Sequence, residues 1–531
     1  MAGAAAGHAD TYPRQPVDVL HYHVDIEFDE NFGYDATVRA DVRLLAPELR
    51  EIRFDLEGPT VQDVRDEAGP LSWTHDEGRL TVALRAALPR EGIVSVSVHY
   101  TGRPDGRALV ARPNAHGQQV LFADNWPEGA RRWLPTVDHP SDKATVSFSV
   151  TADERFDVVA PGQLVKTRSL SDRRRLTVWS EPVAIPTYCM VIGLAEFEVT
   201  RIGAARGVPL SLWVFPSDAD AAAQMFSRTA LMLEYFADRL GPFPYAKLAQ
   251  VQSTIRYLGM ENASAIFYAE TELQGPDVDE FPVAHEIAHQ WWGNSLTPAD
   301  WDDLWLSEGF ATYFDALFYE HVDGPETLPR RMAEGKKEIL ELKDPGAVVD
   351  PAITDPQHKL TSIVYRKGAW VLHMLRHRIG DEAFFAALRE FYQTHAGGNA
   401  TTADLRQVLE GHTSQPLEAF FDQWLRRSGV PELHVTWGWD AATRQAVVEV
   451  EQIQSGDPYE IPLQIAFHIG GEIEKRTITL RRTRDEARVS LPAPPTAMEV
   501  DPETWLLHVA TVTRRAPTSA RLSVESELSG K

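Results

Sequence analysis

The sequence predicts a multidomain α+β protein: an N-terminal antiparallel β domain, an α-rich middle domain and a small C-terminal β-sandwich. Three observations carry this prediction. The chain has 531 residues, which at roughly 100–200 residues per domain is enough for about three domains. It is 43% hydrophobic and 24% charged, the balance of an ordinary globular protein and not of a disordered, collagenous or coiled-coil chain. Its apolar residues recur with period two, then with helical spacing, then with period two again.

Residues 1–16 are small and polar and are expected to form a flexible N-terminus. Over 17–215, alternation recurs in His21–Phe28, Ile93–Tyr100 and Ala144–Val150, separated by turn signals at Asp105-Gly106, Pro161-Gly162 and Asp172. The basic run Arg173–Arg175 follows the last of these and reads as a solvated hairpin. Over 216–430, apolar residues at three- and four-residue spacing predict helices at Ala221–Leu240, Val283–Trp292, Ser307–His321, Gly368–Ile379, Glu382–His395 and Leu417–Arg427. Gly324, Gly380 and Gly397 punctuate them. Over 431–512, His434–Trp439, Ala446–Glu451 and Leu463–His468 read as strands of a sandwich, and the polar end 513–531 as a disordered tail.

The net charge of −25 excludes a nucleic-acid partner, because phosphate contacts need a basic face. The single cysteine, Cys189, allows no internal disulfide. It lies in the apolar run Ile185–Ile192, which reads as a buried strand. No window reaches the ~18–20 apolar residues of a membrane span, and the first residues lack the basic and apolar regions of a signal peptide. No membrane partner and a cytoplasmic location are therefore expected.

The chemistry is concentrated in Val283–Trp292, which contains His285-Glu-Ile-Ala-His289. Positions i and i+4 put both imidazoles on one helix face, one turn apart, as two ligands of one tetrahedral zinc require. Glu286 lies beside the first ligand and is placed to act as a general base. Eighteen residues separate His289 from Glu308, in the segment Trp305-Leu-Ser-Glu-Gly-Phe310. Ser307 reads as an N-cap, which sets Glu308 in a first helical turn. A carboxylate from this second helix completes a His2Glu set with a fourth position open. Asp315, two turns further along the same face, is positioned to accept the free ring N–H of a ligand histidine. The pair His373 and His377 has the same spacing but no intervening Glu and no third ligand, and reads as helix-face histidines.

These residues resemble the aminopeptidase N and leukotriene hydrolase family of gluzincin zinc peptidases. The resemblance rests on HExxH, the eighteen-residue gap and Glu308, and on Gly259-Met-Glu-Asn262, which matches the family's exopeptidase motif. Asp18–Asp25, Leu134–Lys143 and Tyr365-Arg-Lys-Gly368 extend it over most of the chain. It implies a thermolysin-like catalytic domain at 216–430 with one zinc ion on His285, His289 and Glu308. It implies an aminopeptidase, a hydrolase that removes the N-terminal residue of peptides by metal-activated water attack with Glu286 as base. Glu261 would pair with the substrate's free α-ammonium. Gly259, Met260 and Asn262 would bind the peptide beside it, by edge pairing of the backbone. Tyr365 would stabilise the oxyanion.

The sequence departs from the family in two places. The family's second amine anchor falls at Trp126, with Asp124, Asn125 and Glu128 as the nearby replacements. The chain also ends in β structure instead of a large helical domain. Epoxide hydrolysis of the leukotriene type would need an acid and a second tyrosine where Gln357 and Leu360 stand. A non-catalytic scaffold would be expected to lack the ligands that are all present here.

Overall fold

The computed structural model describes residues 16–274, 278, 280–343 and 345–515. All but the last residue of the expected flexible start and all but the first three residues of the expected tail lie outside the described residues. The chain falls into two compact units. One comprises Met1–Leu328 with Val348–Arg426, the other Pro329–Ala347 with Arg427–Lys531.

The first unit begins with β structure. Its largest sheet has eight strands, with Val17–Phe28 between Lys143–Asp153 and Tyr34–Leu44. Val17–Phe28 pairs in parallel with Lys143–Asp153 and antiparallel with Tyr34–Leu44. Alternate residues of Tyr34–Leu44 are buried, from Tyr34 to Leu44, because one sheet face packs on the core. Arg174 starts the return strand of the hairpin expected around it and donates to Glu27 Oε1 at 2.7 Å.

A five-stranded sheet then leads to the helices. Its order is Glu198–Ala205, Val208–Val214, Leu248–Ser253, Ala265–Ala269 and Gly259–Met260. Gly259–Met260 is therefore an edge strand, paired only through Gly259 with Tyr268 and Met260 with Phe267.

The helical region follows the sequence with local differences. Gly368–Ile379 is found as expected, capped by Gly380 at φ 86°, where glycine avoids a Cβ clash. The expected helix Ala221–Leu240 is broken into Ala219–Met225 and Thr229–Leu240. The expected helix Val283–Trp292 is Phe281–Ala288 and then tightens, with Gln290 N bonding Ile287 O. The second metal helix is Trp305–Asp323, so Ser307 lies inside it and is not its N-cap, while Glu308 is in its first turn. Thr327–Glu341 and Thr402–Gly411 were not expected. Cys189 is fully buried in a 3₁₀ turn, Thr187–Cys189, where a strand was expected.

The second unit carries the C-terminal strands in two sheets, one of four and one of three strands. The last strand, Val509–Arg514, runs two residues past the expected end of the β region, and Thr513 and Arg514 are ordered strand instead of tail. Among the described residues no helix is long and apolar enough to cross a membrane.

Candidate active site

The helix Phe281–Ala288 starts with Pro282 in its first turn, where proline's missing N–H costs nothing. It delivers His285 and His289 to one point. Their Nε2 atoms lie 3.0 Å apart, and each is 3.3–3.4 Å from Glu308 Oε2. Ligands at about 2.0–2.1 Å from a tetrahedral zinc stand roughly 3.3 Å from one another. The three donors fit that ion, and Glu308 Oε2 is buried without a hydrogen-bond partner of its own. Two imidazoles, which bind a metal in their neutral form, and one carboxylate are also the borderline donor chemistry zinc selects.

Second contacts orient the donors. His289 Nδ1 is 3.0 Å from the carbonyl of Trp292 and 3.0 Å from Ser307 Oγ. Donation to that carbonyl leaves Nε2 as the lone-pair nitrogen. Ser307 therefore serves the site from within its helix. Gly293, at φ 107°, lies so close that a Cβ there would meet Ser307 Oγ. Asp315 is 4% exposed and near enough to Glu286 to raise its pKa.

The helices bearing Glu308 and Tyr365 meet at two glycines. A Cβ on Gly309 would stand 2.9 Å from Gly368 Cα. This contact seats Tyr365 at the site. Tyr365 occupies a π turn, Ile363–Lys367, with its ring 5.9 Å from that of His285 and nearly parallel to it. Such turns recur at functional sites.

Two further acidic side chains flank the donors. The ligand atoms of Glu261, Glu286 and His289 all lie within 4.8 Å of one another. Burial pushes Glu286 well above the carboxylate range, against the pull of His289. Burial likewise pushes Glu261 up to about 7. For His289, burial opposes protonation, but Glu308 and Glu261 outweigh it and hold it up at about 10. The cluster thus favours a positive charge at its centre. Glu286 packs against Gly259: a Cβ there would come within 2.6 Å of the Glu286 carboxyl carbon. Glu261 Oε1 is buried without a partner. Asn262 is fully buried, and neither its Nδ2 nor its Oδ1 has one.

The structure separates the three replacements for the second amine anchor. Asn125 is used internally: its amide donates to the carbonyls of Thr187 and Met190 and accepts from Trp133 Nε1. Glu128 accepts from Trp301 Nε1 at 3.0 Å and pairs with Arg131 at 2.9 Å. Asp124 lines a cavity of about 460 Å³ with Trp126, Arg256 and Gln357, and its buried Oδ1 has no partner. Trp126 is packed edge-on between Tyr188 and Trp301.

Burial raises Asp124 to about 6, only partly offset by Arg256. Its folded pKa lies above its unfolded one, so the native state prefers the protonated form and loses stability as pH rises from about 4 to 6. Asp124→Asn imitates that form. The variant is expected to be the more stable by on the order of 2–3 kcal/mol at pH 7, and the difference should vanish near pH 4. Equal melting curves at pH 7 would contradict the reading.

His373 is buried and meets the Tyr313 hydroxyl at 3.1 Å, as a core histidine. Gln357 is held by Tyr257 and Arg256. Sequence reasoning missed Gln290, Asn294, Gly309 and Gly368. Gln290 and Asn294 carried a signal, as uncharged amides beside the apolar pair Trp291-Trp292. The glycines carried none, because their contact joins residues far apart in sequence.

A His2Glu donor set on two helices, with a further buried glutamate beside it, is the arrangement of a zinc metallopeptidase. The chain belongs to peptidase family M1: residues 18–189 match the Peptidase M1 N-terminal domain and residues 225–424 the Peptidase family M1 domain. This bears out the resemblance read from the motifs. Among solved structures, the chain is similar to an M1 zinc metallopeptidase from Deinococcus radiodurans, with 25% identity, a TM-score of 0.68 and coverage of 78% of this chain and 95% of that one. Among curated proteins, it is 25% identical to glutamyl aminopeptidase of Homo sapiens over 79% of this chain and 47% of that one. It is 29% identical to glutamyl aminopeptidase of Bos taurus over 60% of this chain and 35% of that one. It is 29% identical to aminopeptidase M1 of Arabidopsis thaliana over 70% and 44%. The matches thus cover less than half the length of these curated relatives.

Proposed function

We propose that the chain is a zinc aminopeptidase that hydrolyses the first peptide bond of peptides with a free N-terminus. The observation that carries this is the approach of two extra glutamates, Glu261 and Glu286, to within 4.8 Å of the ligand atom of His289. A metal centre with one spare carboxylate can cleave a bond; a second beside an edge strand can count residues from an amine.

His285, His289 and Glu308 hold the ion, and Asp315 acts as a positioning residue for His285, since His289 is held by Trp292 and Ser307. Zinc, when bound, supplies a Lewis acid that acidifies water and polarises a carbonyl. Glu286 takes the proton from the attacking water on its carboxylate and delivers it to the leaving amine nitrogen. The Tyr365 hydroxyl donates to the oxygen on which negative charge develops. Glu261 accepts from the substrate ammonium, a charge-assisted contact that only a free N-terminus can make. Gly259–Met260 offers its unpaired edge to an extended peptide, with Asn262 next to it. Asp124, with its spare oxygen, is the residue of the Asp124–Glu128 stretch that fits the second anchor.

The catalytic region at 216–430 is read as thermolysin-like, between a β domain at 17–215 and a β-sandwich at 431–512. The test is a panel of aminoacyl-coumarin amides, free and N-acetylated, with and without a zinc chelator. Cleavage confined to the free compounds and abolished by chelation is expected. Equal cleavage of both forms would remove the aminopeptidase reading, and no cleavage by zinc-loaded protein would remove catalysis on peptides altogether.

A further inference from the structure

We propose that Gln290 and Asn294 are positioning residues that set the amine anchor, Glu261, relative to the metal ligands. The inference rests on the aminopeptidase reading and extends it to side chains that touch neither substrate nor metal.

Gln290 Nε2 donates to the Glu261 carbonyl at 2.8 Å, and Asn294 Nδ2 donates to the same oxygen at 2.6 Å. Both lone pairs of that carbonyl are therefore taken by amides that follow His289 by one and five residues. Each amide is also held at its other end. Gln290 Oε1 accepts from Ser264 N at 2.9 Å, so this one side chain bridges the turn that begins at Glu261. Asn294 Oδ1 accepts from Cys189 Sγ at 3.1 Å and from the Tyr188 hydroxyl at 3.4 Å. Asn294 N bonds His289 O at 3.1 Å. Both residues are fully buried.

The strand itself cannot supply this precision. Gly259–Met260 has only two paired residues, and the pairing stops one residue short of Glu261. Beyond it the chain turns, with Ser264 at φ 61°. The Glu261 main chain, from which the carboxylate hangs, is thus tied to the histidine segment by the two amides. Anchor and ligands share one frame, and the distance from ammonium to scissile carbonyl is built into it. Displacing a positioned group by about 1 Å can cost a hundredfold in rate.

Gln290→Met keeps length and packing and removes the donor. Bound zinc should stay at one per chain. KM for a free aminoacyl amide should rise about tenfold or more, the loss expected for about 1.4 kcal/mol, with kcat changed less. The preference for free over N-acetylated substrate should fall by a similar factor. On a Glu261→Gln background the same substitution should cause no further fall, because the effect runs through the anchor. Asn294→Asp, which retains the acceptor for Cys189 and Tyr188, reads the same quantity where Gln290→Met does not fold. An unchanged KM in a folded variant overturns the proposal, as do loss of zinc or additive effects in the double variant. If the wild-type protein itself shows no preference for a free amine, the aminopeptidase reading fails first, and the two failures are distinguished.

Discussion

Glu286→Gln is expected to lower kcat by about 10²–10⁴-fold while zinc remains bound at one per chain. The amide has the shape of the carboxylate, so the packing against Gly259 survives. The three metal donors are elsewhere, on His285, His289 and Glu308. What the amide lacks is a site for a proton. KM should change little, because the proposed function gives binding of the ammonium to Glu261. Steady-state kinetics on a free aminoacyl amide, with metal content measured on the same sample, checks this. Activity within tenfold of wild type would mean that another group moves the proton.

Gly259→Ala is expected to lower kcat by at least about a hundredfold, by displacing the same carboxylate instead of removing it. The backbone at 259 does not lie in the left-handed region, so alanine is conformationally tolerated. The conflict is between its methyl and Glu286, whose carboxyl carbon would lie 2.6 Å away. Such overpacking costs roughly 1–3 kcal/mol where the neighbour cannot move. Here the neighbour moves, and activity registers the displacement. Wild-type kcat in Gly259→Ala would show that the base is not seated on this glycine.

Much of the fold, and the helix that carries the candidate site's two histidines, was legible because both are written in short-range periodicity. Alternation in Ala144–Val150 and spacing in Gly368–Ile379 each report which face meets the core, and both segments lie within the elements found. Two ligands four residues apart need only a helix. The errors fall where a long-range contact overrides a local signal. Ser307 carries N-cap chemistry, yet its hydroxyl contacts His289 and the helix begins at Trp305. Thr327–Glu341 was not expected, although Leu328, Met332 and Ile339 are buried along it; Pro329 and Gly335 interrupt its helical composition. Thr402–Gly411 had a readable signal, the capping box of Thr401 and Asp404. Asp124, Asn125 and Glu128 could not be ranked from sequence, since the partners that occupy the last two lie far along the chain.

The contact of Gly309 with Gly368 bears on how the site responds to thermal motion. One glycine follows the ligand Glu308 and the other closes the turn that holds Tyr365. With no side chain between them, the two helices cannot change their separation by flexing an intervening group. The carboxylate proposed for the ion and the phenol proposed for the oxyanion thus hang from one backbone-to-backbone contact, with no side chain to act as a cushion between them.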